Sequence, residues 1–379
     1  MIGKFLLKNI MNSTNKIKIA VVHDDFIQFG GAEKLILEIA KDLKSEIDFE
    51  VEIFSSLISD RWKKILKEKD IKFTESFLSK IPFCYQISKV FFLSDLFYLS
   101  FQSFNFDRFD IVFSSSTRFG HCVLTKPRTF HISYINSPAR ALWDERKYFW
   151  GKKFLYLVFK NFLPQKRIID FYSQNFADLI ISNSKNIKNK VLKNYKLNSI
   201  VLYPFVKEFQ LPYSNSKQKY FVLISRLVSW KKIDFVIEAF NSLDLNLKII
   251  GTGPELIPLK SKSMNNIEFL GYVSENEKFE LLSKAAGLIF PQNEDFGLTL
   301  VESLLVGTPI IYFNKGGAKE ILNSKLGTCF DSQNMNSLIN SLKLHQEKQF
   351  DPNFLRSYGL KFTEKSFTRF IKKLIKSRV

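Results

Sequence analysis

The groups in this chain best suited to chemistry concentrate in Pro291–Ile321 (PQNEDFGLTLVESLLVGTPIIYFNKGGAKEI). The segment leaves a buried strand, enters a loop with Glu294 and Asp295, and turns at Phe296-Gly297 into a helix that holds Glu302. A glycine in such a turn lets backbone approach a ligand closely. The N–H groups of Phe296, Gly297 and Leu298 then point at anything bound there, with the positive end of the helix dipole behind them. That combination suits a diphosphate. Glu302 falls in the second helical turn, where a carboxylate can accept both hydroxyls of a ribose. Glu294 precedes the helix and can reach a different group, such as a sugar hydroxyl. Two isolated acids would be ordinary surface residues; the Phe-Gly turn between them argues against that reading.

A second cluster lies in Ser225–Phe240 (SRLVSWKKIDFVIEAF). Arg226 stands at the carboxyl end of a strand, and Lys231 and Lys232 stand just before the next helix. Cations at the mouth of a cleft suit a nucleoside diphosphate. Lysine is common throughout the chain, so this pattern carries weight only beside the first. His121 follows Gly120 in a loop and is a candidate to enter the cleft, whereas His131 lies inside a strand and reads as a core residue. Cys84, Cys122 and Cys329 are scattered without any CxxC, as are the four histidines, so neither a disulfide framework nor a metal site is expected.

The elements that must hold these residues alternate between strand and helix, twice. In the first half, Lys16–Val22, Phe49–Phe54, Asp110–Ser115, His131–Ile135 and Asp178–Asn183 read as buried strands, with helices at Gly31–Leu43, Gln165–Ala177 and Ser184–Tyr195. In the second half the strands are Tyr220–Ser225, Leu245–Gly251, Ile267–Gly271, Gly287–Phe290 and Thr308–Phe313. Such alternation argues for parallel sheets covered on both faces. The expected fold is therefore α/β, with two Rossmann-like, doubly wound domains facing a cleft at the carboxyl ends of their strands. Lys207–Lys219 is polar and aperiodic and reads as a linker. The expected domains are residues 1–206 and 207–350, followed by a basic helical tail, 351–379, that crosses back to the first.

Composition narrows the class. The 379 residues include 56 Lys plus Arg against 37 Asp plus Glu, a formal charge of +19, with 45% hydrophobic residues and 40 phenylalanines. These values exclude a disordered or fibrous chain. The charge fits nucleic acid, an anionic membrane or a phosphorylated substrate, and fits equally the Lys-, Asn-, Ile- and Phe-rich usage of an AT-rich genome. No charge-free run approaches the ~18 residues of a membrane-spanning helix. The first ten residues are too short and too charged for a signal peptide, and Met11 is an alternative start. A cytoplasmic protein is expected, with a peripheral place on the inner face of the plasma membrane as its extension. Two aromatic stretches bear on that. Leu78–Phe106 reads first as core helices. Arg146–Arg167, mixing aromatics with Lys and Arg, reads equally as a lipid-facing surface or a solvated face.

Taken together, Arg226–Lys231, Gly251–Glu255 (GTGPE), Gly271–Val273 (GYV) and Glu294–Glu302 with Gly307-Thr308-Pro309 resemble the family 4 retaining glycosyltransferases, also called group 1, of GT-B architecture. Phe29-Gly30-Gly31-Ala32-Glu33 is similar to the glycine-rich loop that members place after their first strand. Tyr134–Asp144 (YINSPARALWD) resembles a segment of mannosyltransferases that build O-antigen and related polysaccharides. The resemblance implies a first domain for the acceptor and a second for a nucleotide-sugar donor. It assigns Glu294 to the transferred sugar, Glu302 to the donor ribose, Arg226 and Lys231 to the diphosphate, Gly30 and Gly31 to a loop closing over the phosphates, and Tyr272 and Val273 to a loop cradling the nucleobase. Asn136 stands where relatives commonly have a histidine contacting the sugar; it can hydrogen-bond but cannot carry charge.

The chemistry this implies is transfer of a hexose, mannose first, from a nucleoside diphosphate to a glycan or polyprenyl-linked acceptor. GDP-mannose is the first donor and UDP-hexoses come next. Arg226, Lys231 and the helix N-terminus would stabilise the departing diphosphate, which itself takes the acceptor proton. No cofactor or metal is expected, and the chain lacks the Asp-x-Asp of metal-dependent relatives. Other classes remain: a sugar-nucleotide epimerase or phosphorylase on the same scaffold, or a non-enzymatic basic protein binding membrane or nucleic acid. Once a diphosphate is supplied as the anion, nucleic acid is no longer needed to account for the charge.

Overall fold

The computed structural model describes residues 16–87, 94–144, 156–157, 160–207, 212, 214 and 217–378. The start of the chain, much of the aromatic stretch Arg146–Arg167 and parts of Leu78–Phe106 and Lys207–Lys219 lie outside the described residues. Two parallel sheets form, one in each half. The first comprises β1 (Ile17–His23), β2 (Phe49–Ser55), β3 (Lys72–Glu75), β4 (Ile111–Ser116), β5 (Phe130–Ile135), β6 (Leu179–Ser182) and β7 (Ile200–Val201), in the order β3-β2-β1-β4-β5-β6-β7. The second comprises β8 (Tyr220–Ile224), β9 (Asn246–Ile250), β10 (Ile267–Gly271), β11 (Gly287–Phe290), β12 (Ile310–Phe313) and β13 (Gly327–Phe330), in the order β10-β9-β8-β11-β12-β13. This is the GT-B arrangement. In each sheet the winding direction reverses beside the first strand, between β1 and β4 and between β8 and β11. A crevice opens at such a reversal because the helices on its two sides depart to opposite faces.

Strand composition explains why both faces are covered. Side chains alternate across a strand. Ile19 and Val21 of β1 enter a core with Leu35, Ile36 and Ile39 of the helix Gly31–Lys44, while Ala20 and Val22 face Phe54, Phe101 and Phe109 on the other side. Part of the phenylalanine excess is spent there: Phe54 meets the rings of Phe104, Phe106 and Phe109 edge-on at 5.1–5.4 Å. The second sheet is sandwiched likewise, with Val222 and Leu288 on one face and Leu223 and Ile289 on the other. Within Leu78–Phe106, Leu78, Phe97, Phe101 and Phe106 are buried, as core helices require.

The chain passes between the halves twice, near Val206 and again near Phe362. The Val206 N–H donates to the Phe362 carbonyl at 3.0 Å, so the outgoing and returning chain run side by side. Leu355, on the helix Pro352–Gly359, packs in the second core. Phe367, Ile371 and Ile375, on the helix Glu364–Lys376, pack in the first. The stretch between the domains is also anchored: Lys217 Nζ donates to the Ser283 carbonyl at 2.6 Å and Thr308 Oγ1 at 2.9 Å, and burial lowers its ammonium to about 8. Among the described residues no helix is long and apolar enough to cross a membrane.

Candidate functional site

The residues singled out in the second domain come from three loops at the carboxyl ends of its strands. After β8 the chain passes Arg226, makes a short turn at Ser229–Lys231, and continues into the helix Asp234–Asn241. After β11 it passes Glu294 and reaches the helix Leu298–Leu305, with Gly297 as its N-cap at φ +97°. That backbone angle is open to glycine and strained for other residues. Gly316, after β12 and at φ +62°, supports the same loop: a Cβ there would lie 2.2 Å from the Glu294 carbonyl, which accepts the Gly317 N–H at 2.8 Å. The turn is thus held from behind by backbone.

Lys231 and Glu294, on different loops, form an ion pair. Lys231 is buried, with Nζ 4.4 Å from the Trp230 ring centre. Glu302 accepts a hydrogen bond on Oε1 from Lys278 Nζ at 2.8 Å. Arg226 is exposed and donates from Nη1 to Gln28 Oε1 of the first domain at 2.9 Å. Although much of the side chain is open to solvent, the facing loops partly desolvate its guanidinium, and this together with the charge of Arg140 lowers it from the ordinary value; an arginine keeps its proton in a protein. Phe296 is buried and stacks on Tyr203 at 5.8 Å, so its side chain anchors the turn, while its carbonyl lies against Gly317, where a Cβ would come within 2.2 Å.

The first domain meets this site with the loop after β1. Gly31 approaches Leu298 so closely that a Cβ would lie 2.9 Å from Leu298 Cδ1, and at Gly30 a Cβ would lie 2.5 Å from Glu33 Oε2. Burial raises the Glu33 carboxyl, against the opposing pull of His23 and the Gly30 N–H. The loop is braced from below. Phe26 pairs with Ile58, Trp62 Nε1 donates to the Gln28 carbonyl at 2.9 Å, and Phe29 is stacked on Trp62 at 4.6 Å with the Arg61 guanidinium 4.1 Å from its ring centre.

Asn136 follows β5; its Nδ2 donates to Ser115 Oγ at 2.8 Å and its carbonyl accepts Asn183 Nδ2 at 3.0 Å. Tyr272 is exposed and Val273 packs beside the second core, immediately before the helix Glu275–Lys284 that carries Lys278. No described hydrogen bond joins Asn136, Tyr272 or Val273 to Arg226, Glu294 or Glu302. His121 does not enter the cleft. It is buried, with Nδ1 2.8 Å from Ser116 Oγ and Nε2 3.1 Å from Asp170 Oδ1, close as an ion pair though not aligned as a hydrogen bond. Trp143 Nε1 and the Tyr195 hydroxyl donate to the other Asp170 oxygen, so the histidine belongs to an internal network. His131 is fully buried, and burial lowers its imidazole to about 4.

Several residues at the cleft carry no sequence pattern that would have marked them. Asp295 is buried between Arg140 Nη2 at 2.8 Å and Lys190 Nζ at 2.5 Å, both from the first domain. Burial alone would raise its carboxyl, but these two cations hold it well below the usual carboxylate range. Glu320 accepts the N–H groups of Lys185 and Asn186 at 2.7 and 3.1 Å and the Tyr203 hydroxyl at 2.8 Å. Asp24, at the end of β1, accepts four consecutive N–H groups, Thr117 to Gly120, at 2.6–3.0 Å and so shapes the loop after β4. Asp24 and Asp295 lie in loops that follow strands and Glu320 lies on the short helix Gly316–Ile321, and none of the three has a spacing that names its partner. Among the described residues no three His, Cys, Asp or Glu side chains gather as a metal-binding group.

Residues 207–361 match the family described as glycosyl transferases group 1. The chain is 29% identical to an uncharacterized glycosyltransferase, MJ1178, of Methanocaldococcus jannaschii, over 48% of this chain and 53% of that protein. It is 23% identical to the O-antigen chain mannosyltransferase C of Escherichia coli, over 54% of this chain and 63% of the relative. The chain thus spans little more than half the length of these two relatives. Its fold matches the solved structure of Anabaena Alr3699/HepE in complex with UDP, with a TM-score of 0.72 at 16% identity, over 95% of this chain and 100% of the other.

Proposed function

With a second domain that is that of a group 1 glycosyltransferase, in a chain that resembles a mannosyltransferase, we propose that the protein transfers a hexose from a nucleoside diphosphate to a glycan or lipid-linked acceptor. Mannose carried on GDP is the first donor in this reading, supported by the Tyr134–Asp144 segment and the O-antigen relative. UDP-hexoses are second; UDP is the ligand of the Anabaena protein.

The observation that carries the reading is the Lys231–Glu294 pair at the β8/β11 reversal. It sets a cation suited to the diphosphate beside a carboxylate suited to sugar hydroxyls. In the transition state negative charge grows on the departing diphosphate while the sugar becomes oxocarbenium-like. Arg226, Lys231 and the N–H groups at Phe296, Gly297 and Leu298 would stabilise the first, and Glu294 would hold the second. Glu302 would hold the ribose and the Gly30-Gly31 loop would cover the phosphates. The diphosphate oxygen takes the acceptor proton as the acceptor oxygen bonds to the anomeric carbon and the carbon–oxygen bond to diphosphate breaks. Attack from that same face retains the configuration. Positive charge from Arg226 and Lys231 leaves no step that requires a metal.

Glu294→Ala is expected to lower kcat by about 100- to 1000-fold, the size of a lost transition-state contact, with an unchanged unfolding midpoint. Undiminished transfer by that variant would overturn the site. Thermal stabilisation by a panel of nucleotide sugars would identify the donor; saturation at 100 times Kd corresponds to about 2.7 kcal/mol. A lipid-linked acceptor is supported by Lys365, Arg369, Phe370 and Lys373, all exposed on the helix Glu364–Lys376. Flotation with anionic liposomes at low salt tests it, and no association would count against a membrane-borne acceptor.

A further inference from the structure

Glu302 is one end of an ordered ionic chain. Lys278, buried on the helix Glu275–Lys284, donates from Nζ to Glu302 Oε1 at 2.8 Å and to Glu275 Oε2 at 3.0 Å. Glu275 accepts Lys34 Nζ of the first domain on Oε1 at 2.7 Å. Lys34 rides on the helix that begins at Gly31, so its contact and the Gly31–Leu298 approach close the same edge of the cleft. Four side chains of alternating sign therefore run from the interior of the donor domain to the glycine-rich loop of the other. Lysine is rarely buried unless paired, and here one buried ammonium serves two carboxylates.

We propose that Lys278 is a positioning residue for ribose recognition, and that the Lys34–Glu275 contact makes this positioning depend on domain closure. The inference rests on the assignment of Glu302 to the ribose. A carboxylate offers about four lone-pair positions; Lys278 occupies one on Oε1 and fixes the plane of the group, leaving the rest for a vicinal diol. Burial would by itself lower the Lys278 ammonium, yet Glu302 and Glu275 raise it, so it stays charged. Removing it would leave two like charges facing each other and Glu302 without its fixed orientation. The outer pair is half exposed and each partner is screened by water. Its part is to transmit closure, and Lys278 supplies the ribose geometry.

The test is calorimetric titration of the full chain with GDP and UDP and with their 2′,3′-dideoxy counterparts. The wild type should prefer the ribonucleotide by about tenfold or more, as for a lost hydrogen bond to a charged group. Lys278→Met should bring that ratio close to one, Lys278→Arg should restore most of it, and Lys34→Met, at a half-exposed position, should weaken ribonucleotide binding by about two- to fivefold. Because Glu275 also holds Lys278, combining Lys34→Met with Glu275→Gln should weaken binding no further than Glu275→Gln alone. Equal weakening of ribo- and dideoxynucleotide by Lys278→Met would mark a merely structural lysine and overturn the inference. Should Lys278→Met fail to fold, Lys278→Arg and Lys34→Met still decide: full discrimination with unchanged affinity in Lys34→Met, or lost discrimination in Lys278→Arg, would overturn it. Glu302→Gln separates the two claims. If it abolishes the preference while Lys278→Met keeps it, only the inference fails; if it keeps the preference, the ribose assignment fails as well.

Discussion

At the scale of single residues, the turn before the helix Leu298–Leu305 turns on one backbone angle. Gly297 sits at φ +97°, and a Cβ there would also lie 2.9 Å from Leu300 Cδ1 and 3.0 Å from Phe290 Cζ. Gly297→Ala is expected to destabilise the protein by about 1–3 kcal/mol, read from urea unfolding, and to weaken nucleotide binding by displacing the N–H groups. The Phe-Gly-x-x-x-x-Glu pattern made this turn legible, because glycine and a helix start are local properties. The buried His121–Asp170 pair was not legible, since its partners are 49 positions apart and met only when the sheet formed. Burial would lower His121, but Cys122 and Asp170 lift it well above its ordinary value. A histidine raised on folding contributes stability that is complete below its unfolded value near 6.5 and is lost as pH rises through the folded one. Wild-type stability should therefore decline at alkaline pH, and His121→Asn should flatten that decline in unfolding curves recorded from pH 6 to 10.

At the scale of elements, the glycine-rich loop is shaped by a helix that carries none of the chemistry. Asp60–Glu68 buries Trp62 and Leu66, and Trp62 holds both the Gln28 carbonyl and the Phe29 ring. Trp62→Ala should cost about 3–5 kcal/mol as a buried aromatic truncation. Trp62→Phe should keep much of that stability while raising the donor KM, because it retains a ring but loses the bond to the loop; unfolding curves and donor titrations distinguish the two. The strands β1, β2, β4, β5, β6 and β8 to β12 were legible from their apolar runs. β3, β7 and β13 were not: β7 is two residues long, β3 is partly exposed along its length, and β13 (GTCF) mixes polar with apolar residues. Such segments become strands because a neighbour offers its edge, as β12 does for β13 from Ile310↔Gly327 to Phe313↔Phe330. No local signal encodes that offer.

At the scale of the molecule, the two domains are held across the cleft by buried charge and by the returning tail. Asp295→Asn should weaken the contact with Arg140 and Lys190, enlarge the radius of gyration in solution scattering, and lower kcat/KM by about tenfold through loss of closure. Because the Asp295 carboxyl is depressed by folding, its contribution is complete above its unfolded value near 3.9 and is lost as pH falls through the lower folded one. Scattering of the wild type should thus be constant from pH 5 to 8 and expand only below pH 4. Ending the chain at Thr363 should expose the pocket that Phe367 fills beside Tyr134 and Phe205 and cost the first domain several kcal/mol, measured as a lowered unfolding midpoint or loss of soluble protein. The sequence by itself determined the two-fold α/β plan and the loops that bear Arg226, Lys231, Glu294 and Glu302, because strand burial, glycine turns and helix starts are written within a few neighbouring residues. Only the tertiary structure decided that Lys231 meets Glu294, that Lys278 meets Glu302 and that Asp295 meets Arg140. Those pairings join residues 24 to 155 positions apart; the first two form when loops and helices of the second domain pack around one sheet, and the third only when the two domains meet.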